Sequence, residues 1–126
     1  MDFLLVAFGG GIGAVVRYGI GLLILGRFGT SFPFHTLFIN LTGSLAIGLL
    51  LVLFVERLHL DPAWRLLVIV GFLGGYTTFS SYTFEALALI EAGQPLASVL
   101  YVLGSNLLGL AATLLGMALA RSGALH

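Results

Sequence analysis

The stretch Gly71-Phe72-Leu73-Gly74-Gly75-Tyr76-Thr77-Thr78-Phe79-Ser80-Ser81-Tyr82 sets glycines, hydroxyls and aromatic rings in the middle of an apolar segment. Glycines at 71, 74 and 75 followed by two β-branched threonines weaken a helix, by about 1 kcal/mol for each glycine. Inside a bilayer, backbone groups freed by a helix break persist only where protein, water or an ion satisfies them. The stretch is therefore a candidate site. Asn40 supplies a carboxamide, two N–H donors and a carbonyl acceptor. In an apolar segment it serves either as an interhelical hydrogen bond or as a donor to a passing anion. Arg17 is a charge within another apolar segment, where it needs a partner or water. It either anchors the chain by snorkelling to the following loop or attracts anions. The serines have no histidine at membrane depth to act as base and no second acid, which argues against an enzyme. His35, His59 and His126 have no second histidine at metal-ligand spacing, and with no cysteine present a thiolate site is excluded.

The elements that must hold these groups follow from composition. Of 126 residues 60% are hydrophobic and 8% charged, and the mean hydropathy is +1.16. No soluble domain of this size has such values, so the chain is expected to be an integral membrane protein. A formal net charge of zero leaves no basic surface for nucleic acid. The absence of a polar linker gives a single domain, 1–126.

Four spans are expected, at about 3–25, 34–55, 63–92 and 96–120, each long enough to cross a bilayer. The first lacks a basic leader and is followed by further spans, unlike a signal peptide. The third is too long for one straight span, and a break near 74–78 gives two half-helices, with Thr77 or Thr78 as hydroxyl cap for the second. Phe79 and Tyr82 then share one face. Residues recur every fourth position along single helix stripes: Gly9, Gly13, Arg17 and Gly21; Thr36, Asn40, Ser44 and Gly48; Tyr101, Ser105, Gly109 and Thr113. Gly104, Ala112 and Gly116 form a small-residue face suited to close packing. Glu56 to Pro62 reads as a solvated loop ending in an Asp-Pro helix start, and Gly93-Gln94-Pro95 as a helix stop. Four spans put both termini on one side, with Arg57, Arg65 and Arg121 against Arg27 and Arg17 on the other. That bias is weak, so the chain is expected to insert both ways up and to pair antiparallel with a second copy.

The combination of Gly9-Gly10-x-x-Gly13-Ala14-x-x-Arg17-Tyr18, Thr36-Leu37-x-x-Asn40-x-x-Gly43, Gly71-Phe72-x-Gly74-Gly75-x-Thr77-Thr78-Phe79-Ser80 and Tyr101-x-x-x-Ser105 resembles the Fluc (CrcB-type) fluoride channels. The resemblance covers all four spans. It implies an all-α antiparallel homodimer in the cell inner or plasma membrane, with two pores that pass fluoride, reject chloride and export fluoride from the cytoplasm. It also implies a structural sodium ion at the dimer centre, held by the backbone carbonyls of Gly74 and Thr77. Hard cations prefer such oxygens. In the pore it assigns Asn40 as amide donor, Phe79 as a ring whose positive edge faces the anion, and Ser80, Ser81, Ser105 and Thr113 as hydroxyls along a polar track. Tyr101 becomes a pore-lining phenol, and Arg17 raises the local anion concentration at a vestibule.

The chain departs from the family at Tyr82, where phenylalanine is usual. A tyrosine keeps the ring edge and adds a phenolic donor, so Tyr82 is still expected to line the pore, with its hydroxyl bonded to protein or to the anion. Glu85, one turn further on, receives no role. A small multidrug-type proton-coupled exporter also has four short spans, but its coupling needs a carboxylate deep in the first span, and here only Asp2 stands at the edge. A non-conducting membrane scaffold accounts for the glycine faces but not for three polar stripes.

Overall fold

The computed structural model describes residues 1–123, all in helices or short connections, with no strand among them. Helix α1 spans Asp2–Phe28 and ends at Gly29, whose left-handed φ of 75° lets its N–H close onto the Leu25 carbonyl at 2.9 Å. Helix α2 spans Phe34–Leu51 and continues through wider π-type turns over Val52–Arg57. Asp61 then caps the next helix, its carboxylate accepting the Ala63 N–H at 2.8 Å with Pro62 in the first turn. That helix, α3, comprises Pro62–Trp64, the π-wound Arg65–Leu73 and Gly74–Tyr76. Helix α4 is Phe79–Glu91 and closes at Gly93, φ 77°. Helix α5 is Pro95–Arg121.

Among the described residues, four segments are long and apolar enough to cross a membrane: Asp2–Phe28, Phe34–Arg57, Pro62–Glu91 and Pro95–Arg121. The protein is a multi-pass membrane protein. Its outer faces carry the large apolar side chains, Phe3 at 92% exposure among them, which lipid accepts and water does not.

Glycines set how the helices meet. A Cβ on Gly9 would run into the Leu67 carbonyl and the Phe72 amide. One on Gly13 would meet the Phe72 carbonyl and the Tyr76 amide, and one on Gly75 the backbone of Gly10. Helices α1 and α3 are thus in backbone contact. Gly48 sits on the Thr113 carbonyl and Gly116 on the backbone of Leu45 and Leu49, which does the same for α2 and α5, whereas Gly104 faces open space. Two small apolar clusters fill what remains: Ile39, Leu73 and Tyr76 under α3, and Tyr82, Ala86, Leu89 and Tyr101 between α4 and α5.

Candidate functional site

Two residues separate α3 from α4. Thr77 (φ −79°, ψ 156°) and Thr78 (φ −144°, ψ 119°) both have extended backbone. The two threonines divide the labour of ending one helix and starting the next. The hydroxyl and the N–H of Thr77 both donate to the Leu73 carbonyl at 3.0 Å, closing α3. The Thr78 hydroxyl accepts the Ser81 N–H at 3.2 Å and donates to the Ser81 hydroxyl at 3.0 Å, capping α4.

The backbone of Thr78 is held from α2. Asn40 Nδ2 donates to its carbonyl and Asn40 Oδ1 accepts its N–H, each at 2.9 Å. In a continuous helix that N–H would close onto the Gly74 carbonyl four residues back. Asn40 takes it instead. Arg17 reaches across from α1, its Nε donating to the Gly75 carbonyl at 3.1 Å, so the arginine sits beside the same segment. Gly74 is exposed, and nothing lies within 4 Å of where its Cβ would be.

Aromatic rings lead away from this point. Phe79, 76% exposed, lies 5.6 Å from Tyr82 with the planes tilted 54°. Tyr82 meets Tyr101 edge-on at 5.3 Å, and Tyr101 meets Phe32 edge-on at 5.4 Å. The Tyr82 hydroxyl accepts from Asn106 Nδ2 at 2.9 Å, and the same nitrogen donates to the Val102 carbonyl at 2.8 Å. Beside the rings, the Glu85 carboxylate accepts the Thr36 hydroxyl at 2.7 Å and the Tyr101 hydroxyl at 3.2 Å. His35 Nε2 stands 3.9 Å from the same carboxylate.

Three cavities adjoin one another along these residues. One of about 400 Å³ is lined by Thr30, Ser31, His35, Glu85 and Gln94, at the level of the loops. A second, of about 200 Å³, shares His35 and Glu85 with the first and adds Arg17, Thr36, Thr78 and Ser81. The third, of about 540 Å³, shares Thr78 with the second and is lined further by Asn40, Ser44, Gly74, Thr77 and Phe79.

The structure therefore gathers Asn40, Gly74, Thr77 and Phe79 around one cavity and Arg17 with Ser81 around the next. Tyr82 and Tyr101 lie buried behind them. Ser80 is exposed on α4. Ser105 is on α5, its hydroxyl oxygen buried without a hydrogen-bond partner. Thr113 lies further along α5, its hydroxyl donating to the Ser44 carbonyl at 3.1 Å, as a staple between α5 and α2. Among the described residues no three His, Cys, Asp or Glu side chains converge, and His126 lies outside the described residues. Sequence reasoning missed Asn106 and the pairing of Thr42 with the Tyr76 hydroxyl at 2.8 Å. Both carried a signal, since a carboxamide or hydroxyl in an apolar span needs a partner.

Comparison with known proteins gives one answer along the chain. A family described as CrcB-like protein, Camphor Resistance (CrcB), matches residues 4–117. Among similar proteins, one from Solibacter usitatus (strain Ellin6076), named Fluoride-specific ion channel FluC, is 48% identical over 121 residues, covering 96% of this chain and 99% of its own length. A protein of the same name from Roseiflexus sp. (strain RS-1) is 46% identical over 121 residues, 96% of this chain and 98% of that one. Another, from Thermus thermophilus, is 48% identical over 114 residues, 90% of each chain.

Proposed function

This chain belongs to the CrcB-like family, and we propose that it is a fluoride channel that lets the ion leave the cytoplasm passively across the inner or plasma membrane. The observation that carries the reading is the 46–48% identity, over 90–96% of the chain, to relatives whose printed name is that of a fluoride-specific ion channel. It is accordingly a channel and not an enzyme.

The geometry supplies groups of the right kind. Fluoride is small and holds water tightly, so a path for it needs strong neutral donors that replace that water without trapping the ion behind a full positive charge. Asn40 spends one N–H on Thr78 and keeps a second beside the cavity that it lines with Phe79. Phe79 and Tyr82 offer the positive edges of their rings. The Ser80, Ser81 and Ser105 hydroxyls extend the track and Arg17 draws anions toward it, while the Thr113 and Tyr101 hydroxyls, which donate to the Ser44 carbonyl and to Glu85, would have to turn from those partners to join it. The buried Ser105 hydroxyl without a partner fits this role, since a polar atom so situated is usually satisfied.

A sodium ion at Gly74 and Thr77 belongs to the same reading. The diversion of the Thr78 N–H to Asn40 leaves the Gly74 carbonyl without its usual helical donor, and carbonyl oxygens suit a hard cation. Bound there between two antiparallel copies, the ion would neutralise carbonyl dipoles brought together at the dimer centre. The dimer so formed carries two pores.

The test is fluoride efflux from liposomes holding the purified protein, with chloride as control anion and no proton gradient. Fluoride-selective efflux is expected. Absence of it removes the reading, and efflux that appears only with a proton gradient replaces the channel by a transporter.

A further inference from the structure

We infer that Asn106 is a positioning residue of the anion path, acting through the Tyr82 hydroxyl to hold the Tyr82 ring against Phe79. The inference rests on the channel reading above, in which the edges of those two rings face the ion. Asn106 itself lines neither the cavity around Asn40 nor the one around Arg17. Its effect on the ion is therefore indirect.

Asn106 stands roughly midway along α5 and is exposed. A carboxamide at that depth is costly against lipid and is kept for a specific partner. Its Nδ2 donates to the Val102 carbonyl at 2.8 Å and to the Tyr82 hydroxyl at 2.9 Å. A carbonyl can only accept, so the Val102 bond fixes which end of the amide is the NH₂ and leaves the second hydrogen for Tyr82. Val102 lies one turn back on the same helix, so α5 orients the amide before it meets α4. Among the described residues no other group bonds to the Tyr82 hydroxyl.

The Tyr82 side chain is nearly buried, at 9% exposure. Its ring is tilted against Phe79 at 5.6 Å and meets Tyr101 edge-on at 5.3 Å. The phenol oxygen lies on the ring axis, so a tether there fixes where the ring sits, while the Tyr101 contact fixes how it is turned about that axis. Without the amide, a hydroxyl buried in an apolar span has no partner, a state that buried polar groups avoid. It reaches another partner only by swinging the ring off Phe79. A phenylalanine at position 82 has no hydroxyl to satisfy and stays in place. Asn106 thus matters to ion passage only while residue 82 carries its hydroxyl.

Unitary fluoride current in planar bilayers is the suitable measurement, because it does not depend on how much of each variant assembles. Asn106→Leu is expected to lower the wild-type current about fivefold. In a Tyr82→Phe background the same substitution should leave the current unchanged. An Asn106→Leu channel that is silent alone but carries the Tyr82→Phe current in the double variant supports the coupling equally. Undiminished current in Asn106→Leu overturns the inference. So does an equal loss with and without the Tyr82 hydroxyl, or silence of both Asn106→Leu channels, since either makes Asn106 act independently of that hydroxyl. Absence of fluoride current in the wild type removes the channel reading, and the inference with it.

Discussion

At the scale of single residues, Tyr82 is the informative position, because its hydroxyl and its ring have separable partners. The hydroxyl accepts one hydrogen bond from Asn106, whose nitrogen also has the Val102 carbonyl. Removing that hydroxyl leaves no buried donor stranded, and such a change costs at most about 1 kcal/mol. The ring touches Phe79 on one side and Tyr101 on the other, at 5.6 Å and 5.3 Å. Each such pair contributes about 0.5–1.5 kcal/mol beyond its burial, and both fix where the ring edges point. Tyr82→Phe is therefore expected to keep fluoride flux close to wild type in liposomes. Tyr82→Ile should reduce it to about a tenth. Undiminished flux in the isoleucine variant would remove Tyr82 from the pore.

At the scale of elements, the architecture rests on backbone contacts that only glycine permits. Gly13 faces the Phe72 carbonyl and the Tyr76 amide, neither of which is a flexible side-chain end that can yield. Gly13→Ala therefore has to push α1 away from α3, at an overpacking cost of about 1–3 kcal/mol. The same shift carries Arg17, one turn along α1, away from the Gly75 carbonyl. Gly26, on the same helix, has nothing within 4 Å, and Gly26→Ala should instead gain up to about 1 kcal/mol of helix propensity. Thermal unfolding in detergent is expected to separate the two variants in that order, with fluoride flux lost only in the first. Equal melting points would mean that the α1–α3 approach is looser than the contact implies. This interface was legible in part in the sequence, since the small residues Gly9 and Gly13, four apart on one stripe of α1, have few other uses in lipid. The four spans were legible for a similar reason, because apolar length needs no partner to be recognised. What was not legible was rotation about each helix axis. A polar stripe marks the inward face of its own helix but not which neighbour it meets, so the Asn106–Tyr82 bond and the Thr36–Glu85–Tyr101 cluster had to come from coordinates. The clamp of Asn40 on Thr78 lies between these cases. The asparagine was conspicuous, but that both ends of its amide go to one backbone residue depends on how α2 faces α3.

At the scale of the whole molecule, the arginines bear on how the chain sits in the membrane. All five positive residues are arginines, and Arg57 and Arg121 lie at one end of the helix bundle. Arg121 is paired there with Glu56 at 2.7 Å, and Arg57 donates to the Ala120 carbonyl at 2.6 Å. Topology responds to the Lys and Arg count near span ends. On the antiparallel reading proposed above, an excess of one or two arginines on one side would leave the two orientations close in energy. If the working unit is an antiparallel pair, the protein depends on that indifference. Adding three lysines after Arg121 should commit the chain to one orientation, and adding them instead in the loop near Thr30 should commit it to the other. Each biased variant expressed alone is expected to lose fluoride efflux from cells, because it lacks an oppositely oriented partner. Expressed together, the two should restore it. Cysteines placed at Ser31 report the orientation directly through an impermeant maleimide, against a background without native cysteine. Full efflux from one biased variant that labels on one side only would mean that the channel does not need an antiparallel partner.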